Sequence, residues 1–242
     1  MKYGTLALII LLFTQCKMPG SLIHGSSTDR IPEVFVYDTI PPILPMASTH
    51  SGILIVDLGQ AYQPGLLFNK KRDEVVERVY QNFIADLQFA LQFQVSNSVV
   101  IDTTLKKDFT PEQLYQLMDR CQAEYGLVIP RFESGFNQDE IVREDNGDGS
   151  VSKTAYYSVY NHLHLDVYRH SQIELMRDFG HSRQHSSRSV LSGLFARGPS
   201  FQKNEKSLQE VASANLNDIV DLFKPKIIRR VVDKNKLEMQ TD

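Results

Sequence analysis

The spacing of apolar and polar residues divides the chain into a first half that mixes helices with short strands and a second half dominated by long strands. Ile53-Leu54-Ile55-Val56 is an unbroken aliphatic run closed by Gly59, the pattern of a strand buried on both faces. Val75, Val76, Val79, Phe83, Leu87 and Leu91 then recur at helical spacing, with Glu77, Arg78, Gln81 and Asp86 opposite, and predict a helix over 71–93. Val99-Val100-Ile101 reads as a second strand. Thr110 can cap the next helix, Pro111 fits its first position, and Gln113 completes a capping box. That helix presents Leu114, Leu117, Met118 and Cys121 on one side and is expected to run to about Glu124, with Gly126 stopping it. Leu127-Val128-Ile129 opens a third strand.

Beyond this point the period falls to two. Asp145-Asn146-Gly147-Asp148-Gly149 is a dense turn signal, because Asn and Gly tolerate positive φ. After it Val151, Ala155, Tyr157, Val159, Leu163, Leu165 and Val167 fall on one face of a strand. Ser152, Thr154, Tyr156, Ser158, Tyr160, His162, His164, Asp166 and Tyr168 fall on the other. Residues 173–183 are expected to return beside it. A last helix over 207–223 carries Val211, Leu216, Ile219, Val220 and Phe223, ends before Pro225, and leads to a closing strand over 227–232. The fold class expected is α+β: a mixed sheet with a β-α-β-α-β opening, a long antiparallel hairpin and a C-terminal helix, with the helices mainly on one face.

The N-terminus adds a location. Lys2 precedes an apolar run from Leu6 to Phe13, too short to span a bilayer but suited to a signal-peptide core, and Cys16 follows directly. Phe13-Thr14-Gln15-Cys16 is similar to a lipobox, although Phe13 and Gln15 depart from the residues usual there. The expected layout is a signal peptide over 1–15, a lipidated Cys16 with an extended tether to residue 51, one domain over 52–235 and a polar tail over 236–242. Plain secretion and an uncleaved anchor stay open as alternatives. Within the tether, Val34 to Tyr37 could pair as a strand or pack on the domain. Acylation of Cys16 would leave Cys121 alone, so no internal disulfide is expected.

Leu114-x-x-Leu117, Cys121, Gly126-Leu127-Val128-Ile129 and Phe132-Glu133 resemble a family of uncharacterised Gram-negative lipoproteins. The late Phe223-Lys224-Pro225-Lys226-Ile227-Ile228-Arg229-Arg230 is similar to the way that family ends. The general architecture resembles the amino-terminal domain of TolB and the CsgG-like envelope lipoproteins, over roughly residues 50–235. The resemblance implies an envelope location, the outer membrane first, and an α+β fold. It implies no active site.

Composition narrows the chemistry. With 26 basic against 29 acidic residues the net charge is −3, which argues against a nucleic-acid partner. Asn146-Gly147-Asp148-Gly149 resembles part of an EF-hand loop, but position 12 would be Ala155 and the flanks alternate as strands, so a hairpin turn is the reading preferred. His162, His164, His181 and His185 could converge on zinc only with a carboxylate to orient them, and none is evident in sequence, so neither metal nor cofactor is expected. Ser200-x-x-Lys203 stands without the partner motifs of penicillin-recognising enzymes, and Cys121 sits among core positions. No catalytic residue is assigned.

Two features remain. Tyr156, Tyr160, His162, His164 and Tyr168 share one strand face, which either docks a partner or is covered by the last helix. Lys224, Lys226, Arg229, Arg230, Lys234 and Lys236 form a basic end, either a solvated charge run or a contact with an anionic envelope surface. The function expected is a lipid-anchored, non-enzymatic adaptor in the cell envelope, held to the membrane by its N-terminal lipid and binding another envelope protein or polymer. The alternative is an envelope hydrolase or metal-dependent enzyme using the His162/His164 region. A pocket gathering both histidines with a carboxylate would favour the enzyme, an open aromatic patch the adaptor.

Overall fold

A computed structural model describes residues 33–48, 51–58, 70–145, 147, 151–170, 172–189 and 200–233. The expected signal peptide, Cys16, the polar tail and most of the 145–149 turn lie outside them. Contacts group the chain into two units, described separately: residues 39–228, and the flanking segments before residue 39 and after residue 228.

The larger unit is α+β. Its elements are β2 (Gly52–Val56), α1 (Lys70–Gln94), β3 (Val99–Asp102), α2 (Pro111–Cys121), β4 (Ala123–Asp145), β5 (Val151–Arg169), β6 (Gln172–Ser189) and α3 (Phe201–Asp221). The five strands form one mixed sheet in the order β3-β2-β4-β5-β6. β2 runs parallel to β3 and β4, as crossover helices require, while β4, β5 and β6 are antiparallel. The aliphatic run of β2 is buried along its whole length, as a strand covered on both faces must be.

α1 and α3 lie together on one face, where Phe83, Leu87, Leu91, Leu208, Leu216 and Ile219 pack on Ile53, Ile55, Leu127, Phe132, Leu163 and Leu165. Among the described elements only the short α2 covers the other face, and only at one end, where Leu114 and Met118 meet Leu54, Val56, Val128 and Tyr168. The last helix therefore covers the odd-numbered face of β5, not the tyrosine-histidine face.

Three local features change or add to the expectations. α2 ends at Gln122, in the left-handed region (φ 52, ψ 38), rather than at Gly126. The Thr110 N–H donates to the Gln113 side chain at 2.8 Å, fixing the start of α2 where the capping pattern put it. Gly126 instead lies inside β4, where an added Cβ would come 2.9 Å from Met118 Sδ; the glycine lets α2 approach the sheet. The second change is in β4, whose register against β5 shifts between Val128 and Arg131, across Pro130. Proline has no N–H for the ladder, so a bulge is its natural place. The shift changes which parity faces the core, from Leu127 and Ile129 before it to Phe132 and Ser134 after it. The third concerns the tether: Leu44 is buried in the main core and donates its N–H to Leu222 O at 2.9 Å. Tyr125 Oη donates to Pro45 O at 2.9 Å, and the Ala47 N–H to Glu124, which also pairs with Arg169 at 2.6 Å.

One polar cluster is buried in the core. Asn161 Nδ2 donates to Glu133 O at 3.0 Å and to Ser134 Oγ at 2.7 Å, and Asn215 Nδ2 donates to Asn161 O at 3.0 Å and Asn161 Oδ1 at 2.6 Å. The cluster ties α3 to the β4–β5 hairpin.

The strand expected at 227–232 is β7 (Lys226–Asp233), and the apolar stretch around Val34 is β1 (Glu33–Ile40). These two pair with each other as a separate two-stranded sheet instead of closing the main one. In the flanking unit the Arg229 guanidinium lies 3.6 Å from the centroid of the Phe35 ring, and Arg230 pairs with Asp38.

Candidate functional site

The even-numbered face of β5 is the candidate. Alternation directs Tyr156, Tyr160, His162 and His164 away from the core, and the bulge at Pro130 brings Arg131 and Glu133 of β4 to the same side. From β6, Asp178 lies opposite His164 and Gly180 opposite His162. Beyond the reach of α2, no described helix covers this face.

Two glycines set how its rings rest. A Cβ at Gly135 would come 2.8 Å from Tyr160 Oη, and one at Gly180 would come 2.8 Å from His162 Cε1. Each ring therefore lies across a neighbouring strand at a position with no side chain of its own. Their centroids are 5.2 Å apart. Beside them is a depression of about 360 Å³ lined by Arg131, Glu133, His162, Leu163, Asp178 and Phe179.

Charge organises the other half. His164 Nδ1 is 2.7 Å from Asp178 Oδ1, and His164 Nε2 is 3.0 Å from Asp166 Oδ1. The hydrogen bond to Asp178, with the nearby Asp166 charge, raises the His164 pKa above that of an ordinary imidazole despite some desolvation. Arg131 and Glu133 pair at 2.8 Å.

The remaining expected residues go elsewhere. Tyr168 is buried beneath α2, its ring centroid 6.3 Å from that of Tyr115, and so is not part of the open face. His181 and His185 lie on the opposite side of the sheet from His162 and His164: His181 Nε2 is 2.8 Å from Asp218 of α3, and His185 stacks on Tyr157. The four histidines do not converge, and the described residues contain no group of three or more His, Cys, Asp or Glu placed to hold a metal. Ser200 is the N-cap of α3 and Lys203 lies exposed in its first turn. Cys121 is partly buried against the α2 cluster.

Sequence reasoning missed Arg131, Glu133, Asp178 and the two glycines. Their membership depends on strand register, which the proline in β4 could have signalled as a bulge.

Chemically, His164 Nδ1 is hydrogen-bonded to Asp178 while Nε2 faces Asp166 Oδ1 at 3.0 Å, so the imidazole is set between two carboxylates. A second position with catalytic precedent is the C-terminal ends of β2 and β3, where open α/β sheets often take ligands. There Tyr80 Oη donates to buried Asp57 at 2.8 Å, and Asp102 Oδ1 accepts the Thr104 N–H at 2.9 Å, so both carboxylates have structural partners. Burial, then the Asp57 charge, push the Tyr80 phenol above its ordinary pKa.

No protein-family profile matches the chain, and no curated protein resembles it in sequence. Among solved structures it is similar to a neuraminyllactose-binding hemagglutinin homolog from Helicobacter pylori, at TM-score 0.45 and 12% identity over 78% of this chain and 89% of that one. It is also similar to the PelC dodecamer from Paraburkholderia phytofirmans, at TM-score 0.30 and 11% identity over 78% of this chain and 98% of that one. A third is the hypothetical protein CT253 from Chlamydia trachomatis, at TM-score 0.26 and 14% identity over 70% and 94%. No helix among the described residues is long and apolar enough to cross a membrane.

Proposed function

We propose that this is a lipid-anchored cell-envelope protein that binds another envelope component without catalysis, through the outer face of the β4–β5–β6 sheet. The observation that carries the reading is the ring pair of Tyr160 and His162, lying over Gly135 and Gly180 on a face that no described helix covers there, with Tyr156 farther along the same face. Rings resting on neighbouring strands at glycine positions offer contact area with little entropy left to lose, and Arg131, Glu133 and Asp178 supply a polar rim.

A hydrolase has one observation in its favour, the depression shared by His162 and Asp178. No hydroxyl or thiol is hydrogen-bonded to either histidine to serve as a nucleophile among the described residues.

Site-specific photo-crosslinking in intact cells tests the binding face. A crosslinker at position 160 should give a discrete adduct, and one at Gln209 on α3 should give none. Equal labelling from both positions would refute the face. Lipidation of Cys16 follows from its place after the Leu6–Phe13 run, and intact mass of the mature protein beside Cys16→Ala reads it directly.

A further inference from the structure

Six of the ten large apolar side chains exposed among the described residues of the 39–228 unit come from three segments: Ile40 and Ile43, Phe89 and Phe93, Ile227 and Ile228. These segments meet. The Leu44 N–H bonds to Leu222 O at 2.9 Å, and Lys224 Nζ bonds to the Gln94 side chain, one residue past Phe93. Phe89 and Phe93, one helical turn apart on α1, are 72% and 81% exposed, with parallel rings 6.3 Å apart. Two phenylalanines this open on a folded helix are not explained by the core.

Charge says what would cover them. The stretches 39–56, 87–101 and 222–228 contain no Asp or Glu, although the chain has 29, and their only Lys or Arg residues are Lys224 and Lys226. The bordering Asp221 is 3.9 Å from Lys224. We propose that this end of the domain docks on an anionic lipid bilayer, with Phe89, Phe93 and the neighbouring isoleucines in the interface and the lysines at the headgroups. Aromatic and aliphatic side chains edged by lysine, on stretches that themselves carry no carboxylate, fit that boundary. A two-fold contact with a second copy would set the two lysines against their own images, with Asp221 and Asp86, the latter one turn before Phe89, as the bordering carboxylates. The inference adds a protein-borne contact to the proposed acyl anchor and does not depend on it.

The chain contains no Trp, so Phe93→Trp in the full chain places a single indole on the patch. With vesicles of phosphatidylethanolamine and phosphatidylglycerol, its emission should shift to the blue and be quenched by acyl-brominated lipid, while Ile173→Trp on β6 should show neither. In a Cys16→Ala background, Phe89→Ser with Phe93→Ser should weaken vesicle binding by about tenfold or more. A chain that binds vesicles while its position-93 indole stays unquenched would leave the acyl anchor standing and overturn this inference. A blue shift that needs protein concentration and no lipid would overturn it in favour of self-association, and unchanged binding of the double serine chain would also overturn it.

Discussion

Asn161 and Asn215 are each fully buried, and together with Ser134 they are the main polar insertion between α3 and the hairpin. Truncating Asn161 to Ala removes the donor to Glu133 O and Ser134 Oγ and the side-chain acceptor for Asn215 Nδ2. A net hydrogen bond is worth about 1 kcal/mol, and a buried polar atom left without a partner costs about 1–3 kcal/mol more. Asn161→Ala should therefore destabilise by about 3 kcal/mol. Asn215→Ala should cost less, about 1–2 kcal/mol, because Asn215 Oδ1 already lacks a hydrogen-bond partner and its removal relieves that penalty. The double alanine chain should fall short of the sum by about 1 kcal/mol, since the second truncation removes the group that the first had orphaned. Replacing both by Leu should recover only part of the loss, because the apolar pair restores packing while buried Ser134 Oγ still lacks its Asn161 donor. Urea unfolding followed by circular dichroism gives all four values. Strict additivity, or an Asn161→Ala cost below about 0.5 kcal/mol, would mean that the cluster is solvated and does not pin α3.

Leu165 is fully buried, so Leu165→Ala should cost about 2–5 kcal/mol in the same assay, while His162→Ala should stay within about 0.5 kcal/mol. His164 titrates with a raised pKa in the folded state, so its contribution is fully present below the unfolded value of about 6.5 and lost as pH rises through the folded one. His164→Ala should accordingly destabilise more at about pH 5.5 than at about pH 9, read by paired thermal melts. Gly180→Ala should leave the melting temperature within a few degrees of the parent but displace the His162 ring, so crosslinking at position 160 should change while stability does not.

How far the fold was legible depends on which residues set each feature. Local pattern was enough for β2, α1, β3 and the start of α2, because burial on both faces, helical spacing and a capping pair are properties of neighbouring residues. Alternation along β5 likewise identified Tyr157, Val159, Leu163, Leu165 and Val167 as core. It missed buried Asn161, whose partners, Ser134 and Asn215, are contributed by β4 and α3. The end of α2 was misread because Gly126 looked like a stop, whereas its missing side chain serves the packing of Met118. Leu44 was read as tether because a lone leucine among prolines has no periodicity, whereas its side chain is buried in the main core and its N–H is held by Leu222.

The candidate face illustrates the same division. One strand's alternation could say that Tyr156, Tyr160, His162, His164 and Tyr168 point the same way, but not what lies over them. Tyr168 differs from the rest because β5 reaches under α2 at that end, where Val128 and Tyr115 close over it. His164 differs from His162 because the β5–β6 register sets Asp178 beside the first and Gly180 beside the second. Two histidines of equal appearance in sequence thus take unlike places, one set between the carboxylates of Asp166 and Asp178 and one left as an open ring. A partner that stacks on His162 would meet the carboxylates of Asp166 and Asp178 around His164. A shift of β6 by one residue would set neither Asp178 nor Gly180 opposite these histidines, so their unlike environments reside in the strand register more than in the identity of either one.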